Sequence, residues 1–246
     1  VPRADWNNVR IVLLDIEGTT TPIDFVYKTL FPYASTHVES FLAARSDAPE
    51  IREIVRTLKS EHAKDSAAGL APPEWPNDSR VKLDDCVAYV RWLMERDSKC
   101  APLKALQGKI WQRGFESGEL HGEVYPDVPP AFARWRRQRR EIAIYSSGSV
   151  LAQKLLFGTV PSGDLTRDIR DFFDTTVGVK TAAASYTKIA AAMEQSARDF
   201  LFLSDAEKEV EAARIAGMFA ALCDRDATPA KHSADTITSF DEVLPD

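Results

Sequence analysis

The run Val9-Arg10-Ile11-Val12-Leu13-Leu14 stops at Asp15, and Glu17-Gly18 follows at once. A short apolar segment rich in β-branched residues and closed by a turn signal reads as a strand buried on both faces. Strands of that kind are typical of parallel sheets covered by helices on both faces. Gly18 lets the chain turn straight after the strand. Asp15 then lies at the carboxyl end of the strand, and Glu17 two residues later in the turn. In open α/β sheets that edge is where ligands bind. An acid there can equally cap the turn, so the other strand ends have to decide.

The strand rhythm breaks off after the turn at Thr19-Thr20-Thr21-Pro22. From Phe25 the apolar spacing becomes helical, through Val26, Leu30, Tyr33, Ala34, Val38, Phe41 and Leu42, with Pro32 opening the longer helix. Asp47 is a candidate N-cap for a second helix carrying Ile51, Ile54, Val55 and Leu58. Residues 66–80 hold three prolines and read as a loop. A third helix carries Cys86, Val87, Val90, Leu93 and Met94. A fourth carries Leu103, Leu106, Ile110, Trp111 and Phe115 and stops near Gly118. Four amphipathic helices on short links make a small bundle. The expectation is an all-helical lid, residues 25–120, inserted into a core of residues 1–24 and 121–246. Phe25 and Val26 are either pocket-lining or hinge residues, or part of the lid's core.

After Gly122 strands and helices alternate again. Helix 129–139 leads to strand 141–145, which ends in Ser146-Ser147-Gly148-Ser149 and opens helix 150–157. A short strand over 172–177 runs to Gly178-Val179-Lys180, followed by helix 185–194. Strand 200–203 closes at Ser204-Asp205, helix 206–216 stops at Gly217, and a further strand covers 218–222. The alternation predicts a parallel sheet with helices on both faces.

Composition narrows the partners. A chain of 246 residues with 44% hydrophobic content can bury a sizeable core. A net charge of −6 argues against a nucleic-acid binder, which needs a basic surface. The basic run Arg134-Trp135-Arg136-Arg137-Gln138-Arg139-Arg140 falls at a helix end, where cations suit the macrodipole, and reads as a solvated face. Cys86, Cys100 and Cys223 are scattered and lack a Cys-x-x-Cys pair, so neither zinc nor a disulfide framework is indicated. His37, His62, His121 and His232 form no metal-spaced pair and read as surface or structural histidines. No apolar run approaches membrane-spanning length, and the N-terminus lacks a signal pattern. The expectation is a cytoplasmic monomer with no nucleic-acid or membrane partner.

The strand ends together deliver Asp15 with Glu17, Ser146 with Ser147, Lys180, and Asp205 to one rim. Asp15 and Asp205 can share a hard divalent cation, and few all-oxygen ligands with room for water suit Mg2+. A phosphate there would also meet Ser147 and the amides that open the next helix. Lys180 adds a fixed positive charge, which completes the cradle that phosphoryl transfer needs. Asp15 can act as nucleophile and form an aspartyl-phosphate. Glu17 can protonate the leaving oxygen and later activate water. Lys188 is a competing lysine that ranks second because it falls within a helix. Glu209, one turn after Asp205, either orients a metal-bound water or is a solvated glutamate.

The strings Asp15-Ile16-Glu17-Gly18-Thr19, Ser146-Ser147-Gly148-Ser149, Lys180 and Leu203-Ser204-Asp205 resemble the four motifs of the haloacid-dehalogenase-like phosphatases. Most of that superfamily carries Asp where this chain has Glu17. That replacement resembles the enolase-phosphatases of methionine salvage, as do Thr19-Thr20-Thr21-Pro22, Leu30-Phe31-Pro32-Tyr33 and the stretch from Tyr145 through Gly158. Val179 departs from the polar residue expected at its position. The resemblance implies a Rossmann-like core with a helical cap. Its implied reaction enolises 2,3-diketo-5-methylthiopentyl 1-phosphate and then removes the phosphate to give an acireductone. It also implies magnesium on Asp15, Glu17 and Asp205, with substrate on Ser146, Ser147 and Lys180. A general phosphatase shares these residues, a dehalogenase would dispense with magnesium, and a binding module would not need Asp15.

Overall fold

The computed structural model describes residues 6–76, 83–227 and 236–246. Parts of the polar lead-in at 1–8 and of the loop at 66–80, and all of His232, lie outside the described residues. The chain forms two compact units, Val1–Phe25 with His121–Asp246, and Val26–Leu120. Strand β1 (Ile11–Leu14) is followed by a turn and a single helical turn, α1 (Ile23–Phe25).

The second unit is helical among its described residues. A π-helical segment, Val26–Leu30, runs without a break into α2 (Phe31–Arg45), then α3 (Pro49–Ala67), α4 (Leu83–Glu95) and α5 (Ala101–Ser117). Pro32 sits in the first turn of α2, as expected of a proline that opens the longer helix, and the π-helical segment leads straight into it. Asp47 is not the cap of α3: Ala48 holds that position with no side-chain cap, and Pro49 supplies a pre-set helical φ instead. Gly118 ends α5 with a left-handed φ of 76°. Ala34, Val38 and Leu42 of α2 pack with Ile51, Leu58, Val90, Leu93, Leu106 and Ile110 in one buried cluster. That is the three-and-four spacing of the sequence closing on itself.

The first unit carries α6 (Val128–Arg137), β2 (Glu141–Tyr145), α7 (Val150–Gly158), β3 (Asp171–Phe173), α8 (Ala183–Ala192), β4 (Phe200–Ser204), α9 (Glu207–Ile215), β5 (Phe219–Cys223) and β6 (Thr236–Ile237). The six strands form one sheet in the order β3-β2-β1-β4-β5-β6, and every pairing is parallel. This is the doubly wound order, with its reversal between β1 and β4. β3 is shorter than the expected 172–177. The Asp174 carboxylate accepts hydrogen bonds from the Thr176 amide (2.9 Å) and hydroxyl (2.6 Å), which folds the chain into a turn. β6 has only two residues, too few to leave a period in the sequence.

All four side chains of β1 are fully buried. Each contributes roughly 1.5–3 kcal/mol relative to exposure. Alternation sends Ile11 and Leu13 to the face covered by Tyr186, Ile189, Val210 and Ala213 of α8 and α9. The basic run that begins in the last turn of α6 is not a uniform solvated face. Arg134 is buried and donates to the carbonyls of Phe240 (2.6 Å) and Val243 (3.2 Å), while Arg136 and Arg137 pair at the surface with Asp168 and Asp246. Among the described residues no helix is long and apolar enough to cross a membrane.

Candidate active site

Strand register sets the height of the site. Leu14 lies opposite Ile144 on one side and Leu203 on the other, so β1, β2 and β4 end level. The Asp15 amide still donates to the Leu203 carbonyl at 3.0 Å. Continuing the alternation, Asp15 follows Ile11 and Leu13, and Ser204 follows Phe200 and Phe202, onto the α8–α9 face. Asp15 is 5% exposed and Ser204 fully buried.

Lys180 reaches the same point from the loop before α8. Its Nζ lies 2.5 Å from Asp15 Oδ1 and 2.5 Å from Glu209 Oε2. The Ser204 hydroxyl donates to Glu209 Oε2 at 2.8 Å and stands 3.5 Å from Asp15 Oδ2. Asp205 turns the chain the other way, against Gly18. A Cβ on Gly18, whose φ is +75°, would come 2.2 Å from Asp205 Oδ2. Only glycine leaves the carboxylate that room. The Thr19 hydroxyl accepts from the Asp205 amide at 3.0 Å, and the Thr20 hydroxyl donates to the Asp15 carbonyl at 3.1 Å.

Charges follow from this crowding. Burial alone would lower the Lys180 pKa, but the charges of Asp15 and Glu209 outweigh it and hold the ammonium above its ordinary value. Burial raises Glu209, and Lys180 offsets this only in part. Loss of hydration, then the charge of Asp15, pushes Asp205 up to about 6, although the residue as a whole is exposed. Asp15, Asp205 and Glu209 therefore present three carboxylates to one ammonium. The donor set is all oxygen and short of positive charge, which fits a hard divalent cation. Among the described residues no three His, Cys, Asp or Glu side chains close into a cage. Such a cation would be held by Asp15 and Asp205, with main-chain oxygen and water completing its shell.

Of the remaining sequence candidates, Glu17 is solvent-exposed in the turn and its backbone bridges to Thr21. Ser146 is buried at the end of β2, and its hydroxyl accepts from the Gly148 amide at 3.1 Å. Ser147 is half-buried in the same loop, and Ser149 caps α7 by accepting from Ala152. Lys188 is exposed on α8. Register puts Ser146 one residue beyond the level of Asp15, whereas Lys180 pairs with Asp15 directly and Glu209 joins it through Lys180 and Ser204.

A family model described as haloacid dehalogenase-like hydrolase matches residues 9–217. The chain belongs to the haloacid dehalogenase-like hydrolases. Enolase-phosphatase E1 of Synechococcus elongatus is 45% identical over 238 residues, spanning 96% of this chain and 98% of that one. Enolase-phosphatase E1 of Drosophila melanogaster is 43% identical over 239 residues, spanning 96% and 91%. The crystal structure of the UTR4 protein of Saccharomyces cerevisiae superposes with a TM-score of 0.75 at 32% identity, over 96% of this chain and 100% of that one. These relatives place this haloacid dehalogenase-like hydrolase with the enolase-phosphatase E1 proteins.

Several residues of this hydrolase escape a reading by strand ends. The Lys180 loop is held by three hydroxyls on three successive carbonyls. Tyr145 donates to Gly178 (2.9 Å), Ser185 to Val179 (2.8 Å) and Tyr186 to Lys180 (2.7 Å). Gln153 donates to the carbonyls of Gly148 (2.8 Å) and Phe173 (2.9 Å), tying the Ser146 loop to β3. Their partners are backbone atoms, which leave no pattern in a sequence. Glu209 carried a usable signal, one helical turn beyond Asp205, and the structure settles its contact with Lys180.

Proposed function

We propose that the protein is a magnesium-dependent enolase-phosphatase of methionine salvage. It would convert 2,3-diketo-5-methylthiopentyl 1-phosphate, through an enol phosphate, to 1,2-dihydroxy-3-keto-5-methylthiopentene and phosphate. The observation that carries this reading is the Asp15 carboxylate at the end of the central strand with Lys180 Nζ 2.5 Å away. The near full-length likeness to enolase-phosphatases supports the choice of substrate. In this reading the enzyme works as a cytoplasmic monomer on a small phosphorylated substrate.

Asp15 and Asp205 would hold Mg2+, with Glu17 contributing its main-chain carbonyl. Bound there, the ion supplies positive charge to the phosphoryl oxygens. Ser146, Ser147 and Lys180 bind the phosphate, and Lys180 offsets the repulsion between the Asp15 carboxylate and the incoming anion. An Asp15 oxygen attacks phosphorus as the bond to the leaving oxygen breaks, and Glu17 gives that oxygen its proton. Glu17, now ionised, takes a proton from water. The hydroxide attacks phosphorus, the bond to Asp15 breaks, and phosphate leaves with Asp15 restored. Glu209 and Ser204 hold Lys180 and Asp15 in place during both displacements.

The test is turnover of the diketo phosphate with and without magnesium, following the ultraviolet absorbance of the enol phosphate and free phosphate separately. Enol phosphate rising ahead of free phosphate, with both lost to a chelator, is the expected result. Phosphate release without enediol would make the enzyme a general phosphatase, and turnover that survives the chelator would point to a dehalogenase-type site.

A further inference from the structure

Arg225, two residues beyond β5, takes no part in the chemistry above. Its side chain is nevertheless only 9% exposed and sits behind the turn that follows Asp15. Nε and Nη2 donate to the Thr19 carbonyl at 3.1 and 2.5 Å. Nη1 pairs with Asp127 Oδ2 at 2.6 Å. The guanidinium lies 4.2 Å from the Tyr125 ring centroid and 4.6 Å from that of Phe240. Asp127 is itself anchored, accepting from the Ser239 hydroxyl (2.9 Å) and the Phe240 amide (2.6 Å). The Tyr125 amide adds a bond to the Thr20 carbonyl at 2.9 Å. The turn is thus held from behind at two successive carbonyls.

The held residue is the one that meets Asp205. Thr19 presents its carbonyl to Arg225 and its hydroxyl to the Asp205 amide, and Gly18 next to it forms the wall against which the Asp205 carboxylate rests. We propose that Arg225, acting through Thr19, is a positioning residue that sets Asp205 for cation binding. This rests on the reading of Asp205 as a cation ligand. The guanidinium suits the task because its planar fork places two donors on one carbonyl and a third on a carboxylate while two aromatic rings pack near it. An ammonium in its place is a point charge that cannot make all of these contacts at once. If Arg225 only tied chain segments together, its loss would lower stability and leave the cation affinity of the folded protein unchanged.

Calorimetric titration of the whole chain with magnesium chloride, alongside urea unfolding of each variant, separates the two cases. Arg225→Lys keeps the charge opposite Asp127. Thr19→Val removes the acceptor for the Asp205 amide at nearly constant volume, and Thr19→Ser restores it. Arg225→Lys and Thr19→Val are expected to bind magnesium about tenfold or more weakly, the usual range for residues that orient a metal ligand. Thr19→Ser is expected to stay near the wild-type value. Wild-type affinity in the folded Arg225→Lys and Thr19→Val proteins would overturn the proposal, as would a Thr19→Ser loss equal to that of Thr19→Val. Should Arg225→Lys fail to fold, the Thr19 pair decides alone. A wild-type protein that takes up no magnesium would overturn the cation-site reading together with this proposal, whereas equal binding by wild type and variants would overturn this proposal only.

Discussion

Loss of hydration and then the charge of Asp15 push the Asp205 carboxyl up to about 6. A cation needs the ionised form, so affinity should be steady above that point and fall as pH drops through it. Magnesium titrations at about pH 7.5 and about pH 5 should differ roughly tenfold, and Asp205→Asn should be weak at both. Equal affinity at the two pH values would show that Asp205 is not a ligand. Glu17 is longer than aspartate by one carbon–carbon bond, about 1.5 Å. If that reach lets it serve two substrate positions, Glu17→Asp should slow enolisation of the diketo phosphate more than phosphate release from the enol phosphate, and equal losses would contradict the idea. Asp15, Lys180 and Asp205 were legible in the sequence because each stands where a strand or its loop ends. Arg225 and Tyr186 were not, because they act on carbonyls, which every residue has.

The loop before α8 (Ala183–Ala192) shows how elements rather than single residues fix the ammonium. Gly178 has a φ of +142°, and a Cβ there would come 2.2 Å from Ser185 Oγ. Gly178→Ala should therefore displace the loop, lowering turnover along with stability, as followed by initial rates and urea unfolding. Tyr186→Phe removes one buried hydroxyl from the Lys180 carbonyl. It should cost about 1–3 kcal/mol of stability by leaving that acceptor unmet. Turnover should fall as well, and an unchanged rate would mean that the hydroxyl clasp does not govern Lys180. Element identities followed from spacing, since buried strands and amphipathic helices differ in period. The ends did not. Asp174 folded its own strand short, and Pro49 took the role expected of Asp47.

Across the whole molecule, the doubly wound order survives a long interruption. Residues 26–120 leave the sheet after its first strand, yet β1 still pairs with β2 on one side and β4 on the other. The change from a strand period to a helical period and back again made that interruption legible, and the strand ends made the rim legible. If the rim works as proposed, a phosphoryl group passes to Asp15. Acid quenching during turnover of the diketo phosphate, followed by peptide mass analysis, tests it most directly. The account predicts a phosphoryl group on Asp15 in the wild-type protein and none in Asp15→Asn; steady turnover with no phosphorylated Asp15, or with the group on another residue, would contradict it.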